Sequence, residues 1–400
     1  MINKRIASAV ATGALLLNSF VTPAFAATNI QITGNGSDSN SEAKLELKKS
    51  NSVVQNNTAN ISNKVDVKAK TGGNSADDNT GGDVKISTGD SAVGVAVKNM
   101  LNSNSASVDC CANGDTDVEI SGNGSDSDNE AKLDMKSSNG IFQDNYGKVN
   151  NNLNVDAKTG DNEADDNTGG EVEIETGDSE VSLGVLNMLN SNMARIGGGD
   201  SEGSALSLWI LGNGSDSENE IDADIENENV ITQDNSAHVS NDMDVDADTG
   251  YNGADDNTGG LVSIETGDAM VEALVANAGN FNWADMSCDC LFDDLTAKVA
   301  GNGADSDNEI DLELSDGKDN GVFQDNGAHL SNDLDGLDAT TGDNDADDNT
   351  AYDGEDPSIE TGDAGVGAEV MNQFNSNTAG IGGDLEFEFD WDEIFGSIFG

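Results

Sequence analysis

The tripeptide Gly-Asn-Gly occurs four times, beginning at Gly34, Gly122, Gly212 and Gly301, at spacings of 88, 90 and 89 residues. A Gln-x-Asn motif at Gln55, Gln143, Gln233 and Gln324 recurs at 88, 90 and 91, and Asp-Asp-Asn-Thr, beginning at Asp77, Asp165, Asp255 and Asp347, at 88, 90 and 92. Three independent markers with one period define a tandem repeat. Units of this kind bury their apolar faces against their neighbours, so the chain is constrained to a stacked architecture.

Within a repeat the texture is alternation. Val172, Ile174 and Thr176 alternate with Glu171, Glu173 and Glu175, and Leu153, Val155 and Ala157 alternate with Asn, Asp and Lys. Period two means strands with one buried face. No segment has a convincing helical period, so the expected fold is all-β, a β-solenoid of four compound repeats of about 88–91 residues. Thr-Gly-Asp, Asp-Asn-Thr-Gly-Gly and Asn-Gly supply residues that tolerate left-handed backbone at corners. The segment 159–178, TGDNEADDNTGGEVEIETGD, reads as corner, strand and corner. A finer spacing runs through the second repeat, where Asn123, Asn145, Asn167 and Asn190 follow at 22, 22 and 23 residues. It predicts four coils per repeat, about sixteen in all, and a rod of roughly 75 Å at the spacing between strands.

Only 35% of residues are hydrophobic and 4% aromatic, and 47 are Gly. Composition alone would permit disorder, but stacked coils resolve the difficulty. Inward Asn and Gln at equivalent positions bond to the residues above and below, and small apolar side chains fill the rest. Gln143-Asp144-Asn145-Tyr146-Gly147, with counterparts at 233–237 and 324–328, resembles the Gln/Asn-bearing coil of bacterial secreted β-solenoid fibre subunits of the curlin type. That resemblance implies self-assembly into extracellular fibres.

The two ends differ from the repeats. Lys4 and Arg5, an apolar run from Ile6 to Leu17 and the Ala24-Phe25-Ala26 pattern predict a secretory signal peptide over residues 1–26. The solenoid is then expected over 27–383, with an acidic-aromatic tail or cap over 384–400. In the tail Leu385, Phe387, Phe389 and Trp391 alternate with acids, and Phe395 and Phe399 follow. Such a segment covers a terminal coil or adds to an exposed sheet edge on a partner.

The formal net charge is −60, which excludes ordinary nucleic-acid binding, since that needs Lys and Arg against phosphate. It also opposes direct contact with anionic membranes. Thirteen basic residues lie between Lys44 and Arg195, and only Lys298 and Lys318 follow. Cys110, Cys111, Cys288 and Cys290 lie in the connectors between repeats. In an exported chain they are expected to form disulfides, intermolecular ones included, in preference to a metal site.

Three acidic trios carry the candidate chemistry: Asp126, Asp128 and Glu130; Asp216, Glu218 and Glu220; Asp305, Asp307 and Glu309. Alternate residues on a strand share a face, and hard oxygen donors on one face suit calcium. A solvated acidic surface is the plainer alternative. No nucleophile elbow, phosphate loop or HExxH motif occurs. His238 and His329 occupy a position held by Asn60 and Lys148 in the other copies, as interchangeable surface residues would. The expectation is therefore a secreted or cell-surface structural or adhesive protein, not an enzyme, with calcium as candidate ion and itself or other surface components as partners. The alternative is a β-helix that binds or processes polysaccharide.

Overall fold

In the computed structural model, residues 5–8, 16–21, 27–108, 114–197, 205–287, 294–316, 320–351 and 356–381 are described. All regular structure among them is strand, and every strand pairing is parallel. The all-β class and the stacked-repeat architecture agree with the sequence reading.

The subdivision into coils does not. Each strand pairs with its own equivalent in the next repeat: Asn40–Lys70 lies on Asp128–Lys158, and that in turn on Glu218–Asp248, at offsets of 88 and 90. No pairing of about 22 residues exists among the described residues. One repeat is thus one large rung, and there are four rungs where sixteen coils were expected. The first and fourth are about 14 Å apart at ~4.8 Å per step. Asn123, Asn145, Asn167 and Asn190 are punctuation inside a single rung. They sit respectively in the first corner, the middle of the long strand, the second corner and the return strand.

Each rung follows one itinerary. A short leading strand (Thr116–Ser121 in the second rung) passes through the Gly-Asn-Gly corner into a long strand (Asp128–Lys158). A lobe follows, containing a short strand (Val172–Glu175), and the chain returns along Ser179–Gly197. The equivalents of the return strand are Ser91–Val108, Ala269–Ser287 and Ala364–Ile381. In the fourth rung the long strand is split into Asp307–Asp316 and Gly321–Thr340, with one extra residue accommodated after Asp333.

The long strand is one wall, and the leading and return strands are the other. Val118 and Ile120 pack on Ala131 and Leu133, near the start of the long strand. Ile141 packs on Ala194 and Ile196. Leu153 and Val155 meet Val181 and Leu183 at the far end. Val149 packs on Leu189 part-way between the last two, and the rest of the interior between these apolar patches is polar. Gln143 Nε2 donates to Gln55 Oε1 at 2.8 Å and to the Met193 carbonyl across the interior at 2.8 Å. Asn145 Nδ2 donates to Asn192 Oδ1 on the opposite wall at 2.7 Å and to Asn235 Oδ1 in the next rung at 3.1 Å. The ladders therefore run between walls as well as between rungs, so a core poor in aromatics is still cross-linked.

The corners have two different requirements. Left-handed backbone is held largely by Asp and Asn: Asp126, Asp161, Asp166 and Asn190 have φ of 54°, 61°, 58° and 56°. Gly160 answers a different need. A Cβ there would lie 1.7 Å from the Gly250 carbonyl oxygen, so the corner backbones approach too closely for any side chain.

Before the first rung, Arg5–Ser8 and Leu16–Val21 lie parallel along its return strand.

Candidate functional site

The acidic trios lie where the Gly-Asn-Gly corner opens into the long strand. Asp126, Asp128 and Glu130 point outward while Ser127 and Asn129 are buried, as alternation requires. Asn129 Nδ2 donates to Ser127 Oγ at 3.1 Å and to Asn219 Oδ1 at 3.0 Å, which fixes the strand that presents the acids. Register then builds columns: Asp128, Glu218 and Asp307 stack, as do Glu42, Glu130, Glu220 and Glu309. Asp126, Asp216 and Asp305 lie at successive equivalent turns, with φ of 54°, 58° and 56°. The three trios are brought together as a single outward face.

Few cations neutralise that face. Lys132 pairs with Glu130, and Asn40 Nδ2 donates to Asp128 Oδ2 at 3.3 Å. Burial, followed by Glu130 and Glu309 against the opposing pull of Lys132, holds Glu220 above the ordinary carboxylate range. Among the described residues no three His, Cys, Asp or Glu side chains close upon one point as a preformed metal cage would. What the face offers is rows of hard oxygens about one rung apart.

A second acidic region is the lobe, and there the acids are structural. Asp77 Oδ1 accepts from the Asp165 backbone N–H at 3.2 Å, Asp165 Oδ1 from Asp255 at 2.8 Å, and Asp255 Oδ1 from Asp347 at 2.7 Å. Asp90, Asp178 and Asp268 do the same for Asp178, Asp268 and Asp363. Each carboxylate clips the rung that follows. The neck of the lobe is closed by threonines: Thr159 Oγ1 donates to the Gly177 carbonyl at 2.9 Å, and Thr176 Oγ1 to the carbonyl of Thr249 in the next rung at 3.3 Å. The two Thr-Gly-Asp tripeptides of 159–178 thus do different work. Asp161 bends the backbone, whereas Asp178 bonds the next rung.

Crowding of like charge is felt in the lobe. Glu163 is held above its usual range first by its hydrogen bond with Asp165 and then by the charges of Asp165 and Asp77. Asp255 is raised first by burial.

His238 and His329 stack in register with ring centroids 4.7 Å apart, below Lys148 in the same column. Burial, then His329 and Lys148, lowers the His238 pKa. One half-buried ion pair has no counterpart among the sequence expectations: Arg195 Nε, on a side chain that is 37% exposed, lies 3.4 Å from Oδ2 of Asp285, whose side chain is fully enclosed. Its only signal was a basic and an acidic residue 90 apart in equivalent positions. Cys110, Cys111, Cys288 and Cys290, and the tail residues Leu385, Phe387, Phe389, Trp391, Phe395 and Phe399, lie outside the described residues.

No family model, curated protein or solved structure matches this chain.

Proposed function

We propose that the chain is an exported structural protein of the cell surface or extracellular matrix, with calcium stabilising its acidic face. One observation carries the reading: the chemistry of this molecule is periodic. Outward carboxylates, corner aspartates and interior amides recur in register from rung to rung. A reaction centre needs residues that occur once and converge. A surface that presents the same groups at each step suits repeated, low-specificity contact with ions, with neighbouring molecules or with a matrix.

The test is immunogold labelling of intact producing cells with and without a chelator, together with a glycan-binding and hydrolase screen of the purified protein. Label on the surface, thinned by chelation, is the expected result. Label confined to the cell interior would remove the reading, and saturable binding or cleavage of a polysaccharide would replace it with the polysaccharide β-helix.

A further inference from the structure

Resting on that structural role, we propose that the two ends of the stack are a matched pair. The fourth rung of one copy seats on the first rung of a second copy, in the register that already joins rungs within the chain.

Charge is graded along the stack. The long strand Asn40–Lys70 carries six Lys against three acids, and Asp128–Lys158 carries four against five. Glu218–Asp248 carries eleven acids and no Lys or Arg, and Asp307–Asp316 with Gly321–Thr340 carries nine acids and none. Continuing the register by one step sets Asp311 beside Lys44, Asp333 beside Lys64 and Asp338 beside Lys68. All six face outward. Pairs of this geometry already bridge rungs inside the chain: Lys136 Nζ is 2.6 Å from Glu226 Oε2, and Lys85 Nζ 2.9 Å from Glu173 Oε2.

The asparagine ladders have a direction. Asn63 Nδ2 donates to Asn151 Oδ1, Asn151 to Asn241 and Asn241 to Asn332, each at 2.6–2.7 Å. The same sense runs from Asn74 through Asn162 and Asn252 to Asn344. Such a ladder ends in carbonyl oxygens at the first rung and in amide nitrogens at the fourth. Unlike ends complete it, whereas like ends set donor against donor and acid against acid.

The glycines point the same way. In the column Gly72, Gly160, Gly250 and Gly342, a Cβ on any of the first three would lie 1.7–1.8 Å from the next rung's carbonyl oxygen. Among the described residues Gly342 has nothing within 4 Å. In the column Gly36, Gly124, Gly214 and Gly303, the last three press against the preceding rung at 2.4 Å, and Gly36 meets nothing within 4 Å among the described residues. Each end therefore keeps the close-approach glycine that a further rung would demand.

The place is not wholly vacant. Arg5–Ser8 and Leu16–Val21 lie parallel on Ser91–Val108, where the return strand Ala364–Ile381 of a preceding copy would pair. Removal of the expected leader would free that edge. A head-to-tail contact of this kind does not close on itself and propagates as a filament.

The experiment is carbodiimide coupling of the purified secreted chain, read by mass spectrometry and sedimentation beside Gly36→Ala and Gly342→Ala. Within one chain Lys44 and Asp311 are three rung spacings apart, about 14 Å, too far for a zero-length bond. A Lys44–Asp311, Lys64–Asp333 or Lys68–Asp338 link therefore reports a second copy. The expected result is those links in sedimenting filaments. Both glycine variants should keep the wild-type melting temperature while their sedimenting fraction falls tenfold or more. Wild-type protein that stays monomeric, links joining like ends, or glycine variants that assemble like wild type would each overturn the inference. Monomer that still labels the cell surface would do so while leaving the structural role intact; filaments confined inside cells would do the reverse.

Discussion

Asn187 Nδ2 donates to Asn277 Oδ1 at 2.7 Å, one rung further on, with both side chains buried. Asn187 also donates to Asn241 at 3.1 Å, and its oxygen accepts from Asn99 at 2.6 Å and Asn151 at 3.1 Å. It is a node joining both walls and three rungs. Asn187→Ala leaves one N–H each of Asn99 and Asn151 unpaired, while Asn99 still donates to Asn151, Asn151 to Asn241 and Asn241 to Asn277. At about 1–3 kcal/mol for each donor orphaned, a loss of about 2–4 kcal/mol is expected in chemical denaturation. Asn60→Ala, on the outer face, should stay within about 0.5 kcal/mol. Equal effects of the two would refute the node.

Gly160→Ala places a methyl 1.7 Å from the Gly250 carbonyl oxygen, with the Thr249 backbone at 3.0 Å. Relief requires the rungs to part at that corner. The expected outcome is loss of the cooperative melt, or a fall in Tm of well over 10 °C. Gly327→Ala meets nothing within 4 Å and serves as the control on the fourth rung. Circular dichroism melts of both variants distinguish a steric column from a general intolerance of alanine.

Acid should stabilise this protein. Burial, as the first cause, holds Asp234, Asp246, Asp248 and Asp255 above their ordinary value of 3.8, and Glu220 above 4.5. A carboxyl whose folded pKa is raised favours the folded state once protonated, and that advantage is lost as pH rises through the folded value. Stability is therefore expected to climb as pH falls from 7 toward the 3.8–4.5 range. His238, held below its ordinary value of 6.5 first by burial, opposes the trend as pH falls through that value, one group against five carboxyls. Glu175 and Glu226, held low by Lys85 and Lys136, oppose it only below their ordinary value. A Tm that is lower at pH 5 than at pH 7 would contradict this balance.

Divalent cations should act in the same sense. Like charges one rung apart, about 4.8 Å, repel by roughly 0.9 kcal/mol per pair even at the dielectric of water. Millimolar calcium is expected to raise Tm at pH 7. Replacing Asp128, Glu130, Glu218, Glu220, Asp307 and Glu309 by their amides should raise Tm without calcium and shrink the calcium increment by half or more. Calorimetry with no heat and no Tm shift would remove calcium from the proposal.

Breaking the pair of Arg195 with the enclosed Asp285 is a separate matter. Arg195→Ala takes a cation from beside the enclosed Asp285 carboxylate; because the Arg195 side chain is 37% exposed, solvent discounts the cost to about 1–3 kcal/mol. Arg195→Lys should recover part of it. A urea titration of the two variants measures the difference.

Much of the architecture was legible because alternation and a long period are written in plain residues. Val172 and Ile174 fill the lobe core and Glu171, Glu173 and Glu175 face out, as their alternation implies. Alternation reports which face a residue takes, however, and not which strand lies beside it. That is why evenly spaced Asn123, Asn145, Asn167 and Asn190 suggested four coils where the register has one rung. Nor does spacing disclose a contact across the interior: Asn145 and Asn192, 47 residues apart, meet because the rung doubles back between them. Thr159-Gly160-Asp161 is legible as a corner that tolerates left-handed backbone, but not the division of labour within it: Asp161 takes the left-handed turn and Gly160 makes room. The trio acids face outward, as their alternation implies, but nothing local to a trio tells that register aligns the trios into columns.

Because a whole repeat makes one rung, length in this molecule is quantised. A deletion of a few residues within a long strand such as Asp128–Lys158 shifts every later side chain against its partners above and below. A deletion of 123–212 removes one complete lap and returns the chain to the same point of the cross-section. Small mismatches fall mostly between paired segments, as where the offset widens from 89 to 91 and then to 95 residues through the fourth rung, and the one inside a paired strand, after Asp333, is a single-residue bulge. Such a chain grows or shrinks by laps, and copies of different lap number would still present the same two end faces.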